Sequence, residues 1–394
     1  MRTSPGPLVG LWASLERLLN GRCGSGTGCT LAFPHQAPKH TEQGSSEDVN
    51  LSRRLGVTIV TNAHEETVLV TGISGYIGLH CAKELQANGY KVRGTVRSQD
   101  KAALATTALA RAGVRAEEIS FVEADLLDDT GWAEAMAGCD YVLHVASPFI
   151  MGEPNDPDEL IRPAVDGTNR VLSFAQAAGV TRVVLTSSTV AVSSDMESGT
   201  GGPGDWPDPD KVGSYAKSKI LAERAAWRFV EARGEVEGFD LVVINPGGVM
   251  GPCLTGKPRG TSTTMISDMI SGKMPMIPDI SVGLVDVRDV AVVHVTALKV
   301  AEAAGQRFIL ASEEPIPMMH VAETLKRAGY DKVSTRKAPS LLLRFLALFS
   351  KDVRGMATFL GRKVRADNRT TRDLLGWQPT PMETSLVDMA QSLS

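Results

Sequence analysis

The chain has 394 residues, 43% hydrophobic and 22% charged, with a formal charge of −4 and no long basic run, which argues against nucleic acid as a partner. Its five cysteines, Cys23, Cys29, Cys81, Cys139 and Cys253, form no C-x-x-C pair, as suits a reducing compartment. The seven histidines show no zinc-ligand spacing, so no metal is expected.

Residues 1–64 stand apart. They are rich in Gly, Ser, Thr and Pro, and GRCGSGTGCT is low in complexity. Residues 8–19 have helical apolar spacing, and the first forty residues hold one acid, Glu16. An organelle transit peptide, a disordered extension and a misplaced gene start all fit this composition. The apolar run is too short and interrupted to span a bilayer. The fold is therefore sought in residues 65–394, and the protein is expected in the cytoplasm unless the extension directs it elsewhere.

Thr67–Thr71 (TVLVT) is a short, mostly β-branched run, as a buried parallel strand should be. Gly72, Gly75 and Gly78 follow in a G-x-x-G-x-x-G spacing. Glycine allows a tight turn and close approach to a phosphate, and the next helix start offers free N–H groups to the anion. Gly89 should stop that helix. Residues 90–96 (YKVRGTV) read as a second strand. An acid at its end would suit NAD, whereas a basic residue suits a 2′-phosphate. The chain offers Arg93, Arg97 and Lys101, with no acid before Asp100. The cofactor is therefore read as NADPH, with Arg97 able to fork onto the phosphate and Lys101 adding a point charge. Residues 120–128 (SFVEADLLD) read as a third strand entering a loop, with Asp125 near the adenine.

The fourth strand ends at His144 in YVLHVASPF, expected to be a hydrogen-bonded core histidine. Residues 156–178 form a helical crossover. Residues 183–185 then form a strand ending in Thr186, Ser187 and Ser188, where open α/β sheets place ligands. The Gly- and Pro-rich stretch 194–211 shows no obvious apolar pocket residues. Tyr215 and Lys219 begin the next helix and, at i and i+4, share a face. Carbonyl reduction needs a hydride and a proton for the developing alkoxide. A free tyrosine releases its proton poorly at neutral pH, and a nearby ammonium lowers that pKa. Ser188 is expected to hydrogen-bond the substrate oxygen.

Beyond Asn245, Pro246, Gly247 and Gly248 the pattern loosens. Residues 261–273 suggest a helix, 285–301 a turn and apolar helix, and 306–310 a strand. The strongly apolar 341–348 suggests a core or lobe helix, a substrate wall or a dimer face. Alternation of strand and helix from Thr67 to Asn245 implies an α/β fold, a doubly wound parallel sheet.

The stretches VTGISGYIGLH, YKVRGTVRS, VLHVASPF, VVLTSS, SYAKSK, INPGGVMGP, VDVRDVAVVHVTAL and RTTRDLLGWQPT together resemble an extended short-chain dehydrogenase/reductase. The nearest branch is the dihydroflavonol-4-reductase-like one. Its texture is closest to fungal methylglyoxal/isovaleraldehyde-type NADPH ketoreductases. The resemblance implies a Rossmann core, mainly 65–250 and 284–312, with a small discontinuous substrate lobe from about 190–212, 250–283 and 313–394. It implies a catalytic set of Ser188, Tyr215 and Lys219. The cofactor set it implies is Gly72, Ser74, Gly75, Tyr76, Ile77, Gly78, Arg97, Lys101, Asp125, Leu126, Ala146, Thr186, Tyr215, Lys219, Pro246 and Gly247. Plant dihydroflavonol reductases carry Asn or Asp four residues after the serine, where this chain has Val192, which speaks against flavonoid substrates. Many members also carry Asn in an N-x-x-G-T pattern, matched here to Asp166 in VDGTN. The expected activity is NADPH-dependent reduction of an aldehyde or ketone by a monomer or homodimer. A nucleotide-sugar epimerase or dehydratase, and a silent NADP-binding sensor or scaffold, are the alternatives.

Overall fold

The computed structural model describes residues 66–148, 154, 156–234, 238–348 and 357–394; the expectation for 1–64 falls outside them. The β-branched run becomes β1 (Thr67–Thr71), with Val68, Leu69 and Val70 completely buried. Six further strands join it: β2 (Lys91–Val96), β3 (Ser120–Glu123), β4 (Tyr141–His144), β5 (Arg182–Thr186), β7 (Asp240–Pro246) and β11 (Arg307–Leu310). They lie in the order β3-β2-β1-β4-β5-β7-β11, and every pair is parallel. The chain runs from β1 outward to β3, then crosses back to β4. The switch point between β1 and β4 is where such sheets open a crevice for ligands. There Thr71 stands opposite His144, and His144 opposite Leu185.

Helices cover both faces, as strands buried on two sides require. α1 (Tyr76–Ala87) and α2 (Gln99–Arg111) lie on one side, where α1 packs against a later helix, Val287–Thr296. α3 (Asp158–Ala177) and α4 (Ser214–Ala232) pack on each other across the opposite face, over Leu69, Val142 and Val183. Gly89, at φ +81, terminates the turn after α1 in the left-handed region that glycine tolerates.

A separate apolar cluster lies beyond β7. Met250 from β8 (Gly248–Met250) meets Ile266 and Met269 from α5 (Thr261–Ile270), and both meet Leu386 and Met389 near the C-terminus. Three small strand pairs lie outside the main sheet: β6 (Ser198–Gly201) with β13 (Lys363–Ala366), β8 with β10 (Leu284–Asp286), and β9 (Ser281–Val282) with β12 (Ile316–Pro317). The apolar run 341–348 forms a short helix, Ser340–Leu346, continuing into a turn. It packs on the separate apolar cluster through Leu343, with Leu342 and Leu346 partly buried against it, as a lobe helix would, while Leu341 is 82%, Phe345 59% and Leu348 66% exposed. A seven-residue helix can bury only one side against a single neighbouring layer, so part of its apolar surface stays exposed. None of its residues lines the large cavity described below.

Candidate active site

A cavity of about 1280 Å³ opens over the C-terminal ends of β1, β2, β4 and β5. Its floor is the glycine turn. Gly72 has φ +64, and a Cβ there would meet the Ala146 Cα at 3.0 Å. A Cβ on Gly78 would sit 2.6 Å from the Gly72 carbonyl oxygen. Side chains are thus excluded where a pyrophosphate would need to approach backbone. The turn is pinned: Gly72 N donates to Thr95 Oγ1 at 3.1 Å, Gly75 N to Gly72 O at 2.9 Å, and Ala146 N to Thr71 Oγ1 at 2.9 Å. Ser74, Gly75, Ile77, Leu126, Asp125 and Ala146 all reach the cavity wall. Asp125 Oδ1 accepts from Leu127 N at 3.0 Å, fixing its loop. Tyr76 also lines the cavity, but its hydroxyl donates to Gly251 O at 2.7 Å, so that group joins α1 to the following segment.

Of the three basic residues near the end of β2, only two face the cavity. Arg93 is turned to the carbonyls of Glu134, Ala135 and Ala137 at the end of a short helix, a stabilising cap for a helix C-terminus. Arg97 and Lys101 line the cavity and make no ion pair among the described residues. Burial lowers the Lys101 pKa, and the neighbouring cations Arg259 and Arg97 lower it further. Two unpaired cations and a backbone cradle fit a phosphorylated dinucleotide.

At the other end, Ser188 and Tyr215 come together. Tyr215 sits on the first turn of α4, 41% exposed on the cavity wall, with the Ser188 hydroxyl beside it. Ser188 Oγ also approaches Pro246 O at 3.4 Å. Desolvation raises the Tyr215 pKa, and the Ser188 hydroxyl beside it opposes that rise. The sequence reading gave the opposing role to Lys219. Lys219 instead donates to Ser147 Oγ at 3.1 Å and lies on a small cavity of about 20 Å³ behind the large one. Its own pKa falls to about 8 through burial, with the Glu223 carboxylate holding it up. Ser147 and Ala146 belong to both cavities, so the lysine stands one side chain away from the main site.

Three other expected positions also differ. Thr186 does not reach the main cavity; its Oγ1 bonds His294 Nε2 at 2.7 Å in the core. Pro246 is buried, and its carbonyl accepts from Thr189 N at 2.9 Å; Gly247 beside it does line the cavity. Asp166 is exposed. The residue three before Gly167, which an N-x-x-G-T pattern requires, is Ala164, buried on the small cavity with His144 and Lys219. His144 is buried and paired to Thr71 Oγ1 at 2.9 Å, its pKa lowered to about 3 by burial and then by Lys219. Val192 lines the large cavity.

The sequence reading missed a buried cluster beneath the serines. Glu223, 1% exposed, accepts from Ser187 Oγ at 2.6 Å, Asn245 Nδ2 at 2.8 Å and Arg307 Nε at 2.6 Å. Ser187 is thereby committed inward, leaving Ser188 to the cavity. The signal lay in the spacing Tyr215, Lys219, Glu223, which continues one helix face for another turn. Among the described residues no three His, Cys, Asp or Glu cluster as metal ligands, and no helix is long and apolar enough to cross a membrane.

Residues 68–311 match the NAD dependent epimerase/dehydratase family. The chain is 36% identical to cinnamoyl-CoA reductase 1 of Petunia hybrida over 303 residues, 71% of this chain and 88% of that one. It is 35% identical over 299 residues to ketoreductase azaE of Aspergillus niger, covering 69% and 85%. Its fold matches yeast methylglyoxal/isovaleraldehyde reductase Gre2, solved in complex with NADPH, with a TM-score of 0.68 and 28% identity over 83% of this chain and 98% of that one. The chain therefore belongs to the NAD dependent epimerase/dehydratase family.

Proposed function

We propose that this protein reduces a small aldehyde or ketone, with Tyr215 donating the proton and Ser188 orienting the carbonyl oxygen. The chain is an NADPH-dependent oxidoreductase: its named relatives are reductases, and the fold it matches was solved with NADPH. The observation that carries the finer reading is the Ser188–Tyr215 hydroxyl pair, open to the same cavity as the glycine cradle and the unpaired Arg97 and Lys101.

NADPH, when bound, supplies the hydride. The glycine turn would hold its pyrophosphate, and Arg97 and Lys101 its 2′-phosphate. The rest of the work falls to side chains. Ser188 and Tyr215 present two O–H donors to a carbonyl oxygen, polarising it and matching the charge that grows there. Tyr215 gives up its proton as that oxygen becomes an alkoxide, while the single Ser188 proton stays on the substrate oxygen. Lys219, held on Ser147 one side chain behind the site, would favour the phenolate left behind only at longer range. Val192 offers an apolar wall rather than a partner for hydroxyl groups, which favours small carbonyls over polyphenols.

The test is NADPH oxidation by the purified chain with methylglyoxal, isovaleraldehyde, a β-keto ester, cinnamaldehyde and dihydroquercetin, each repeated with NADH. Turnover of small carbonyls with NADPH alone is expected. Turnover of dihydroquercetin in preference to them would overturn the role given to Val192. Binding of NADPH without turnover of any carbonyl would remove the reductase assignment of Tyr215.

A further inference from the structure

The end of the cavity that carries Arg97 and Lys101 has a third cation, and it comes from the other side. After β8, Gly251 O accepts the Tyr76 hydroxyl at 2.7 Å and Pro252 O meets His80 Nε2 at 2.9 Å. Both partners lie on α1, the helix that begins at the glycine turn. Cys253 N is held by Ser392 Oγ at 2.8 Å, and Arg259 N by Thr263 Oγ1 at 2.7 Å. The segment is thus clamped along α1 at one end and into α5 at the other. It delivers the exposed Arg259 side chain to the cavity wall shared with Arg97 and Lys101.

We propose that Arg259 is a third ligand for the 2′-phosphate of NADPH, reaching from the lobe and closing it onto the nucleotide. The inference rests on the assignment of Arg97 and Lys101 to that phosphate. Two observations support it. Arg259, like Arg97 and Lys101, has no ion-pair partner among the described residues, although acids are plentiful on the surface. It lines the same cavity as both, and beyond the effect of burial its charge adds to the lowering of the Lys101 pKa. Three uncompensated like charges around one space repel each other unless an anion fills it. A phosphate monoester carries nearly two negative charges and three acceptor oxygens, enough for all three. Because Arg259 belongs to the α5 segment and Arg97 follows β2, a phosphate held by both would also tie the lobe to the sheet domain.

The experiment is a titration of the full chain with NADPH, NADH and adenosine 2′-phosphate, for the unaltered protein, Arg259→Ala, Arg259→Lys and Arg97→Ala. Thermal melting of each variant without nucleotide checks the fold; Arg259 is exposed, so its melting temperature should hold. Arg259→Ala is expected to raise the Kd for NADPH and for adenosine 2′-phosphate roughly tenfold, with NADH moved less than about twofold. Arg259→Lys should fall between. If Arg97→Ala weakens NADPH selectively but Arg259→Ala weakens both dinucleotides equally, or neither, the inference is overturned while the phosphate site stands. If Arg97→Ala shows no selectivity, the phosphate assignment fails and takes this inference with it.

Discussion

Tyr215 and Ser188 face the same cavity, while Lys219 spends its ammonium on Ser147. The phenol and the lysine therefore act at different depths, which separates their expected signatures. Tyr215→Phe removes the proton but little of the cavity surface. It should lower kcat/KM by about 10²–10⁴-fold and leave the Kd for NADPH within about twofold. A smaller loss would take Tyr215 out of the acid role. Lys219 should set an alkaline limit. Its pKa is drawn down to about 8, so it is charged below that pH and neutral above, and kcat/KM should decline as pH rises through about 8. Glu223 holds that value up, so removing its charge with Glu223→Gln should move the limb to lower pH. A pH–rate profile of the two proteins decides it; coincident alkaline limbs would show that Lys219 does not govern the rate.

At the scale of elements, the glycine turn makes the sharpest claim. Gly78 lies in the first turn of α1, where a Cβ would meet the Gly72 carbonyl oxygen at 2.6 Å and the Ile73 Cα at 2.9 Å. Both are backbone atoms, which cannot rotate away. Gly78→Ala should push α1 off β1, cost about 1–3 kcal/mol in urea denaturation and abolish NADPH binding. Unchanged affinity in a folded variant would place the nucleotide elsewhere. This unit was legible because it is local: a β-branched strand, three spaced glycines and an amphipathic helix each state their own structure. The pairing of β6 with β13 was not legible. Ser198–Gly201 (SGTG) has little strand preference, and its order comes from Lys363–Ala366, far along the chain. The helix Ser340–Leu346 was legible as a lobe helix, but not in how far it is covered: its composition reports hydrophobicity, not how many neighbours exist to bury it.

Across the whole molecule, strand–helix alternation implies a parallel sheet with helices on its faces, so the class of the framework could be read in advance, though not its strand order. What stayed hidden depends on distant segments meeting: Arg307 from β11 against Glu223, and Thr186 turned to His294 rather than to the cavity. The same long-range burial creates a liability in acid. His80, His144 and His294 are all buried, with pKa values lowered to about 4, about 3 and about 4, chiefly by desolvation. Each is neutral in the folded chain and regains an ordinary pKa near 6.5 on unfolding. Between about pH 6.5 and pH 4 the unfolded chain therefore binds more protons than the folded one, and stability must fall as pH falls. Three such groups set a limiting slope of about 4 kcal/mol per pH unit near pH 5. Melting temperatures measured from pH 7 to pH 4.5 should drop steeply over that window. His294→Gln keeps a group able to bond Thr186 and Val290 but cannot be protonated, and should take up about one proton fewer on unfolding. An unaltered pH slope in that variant would mean that His294 is not among the groups that destabilise the fold in acid.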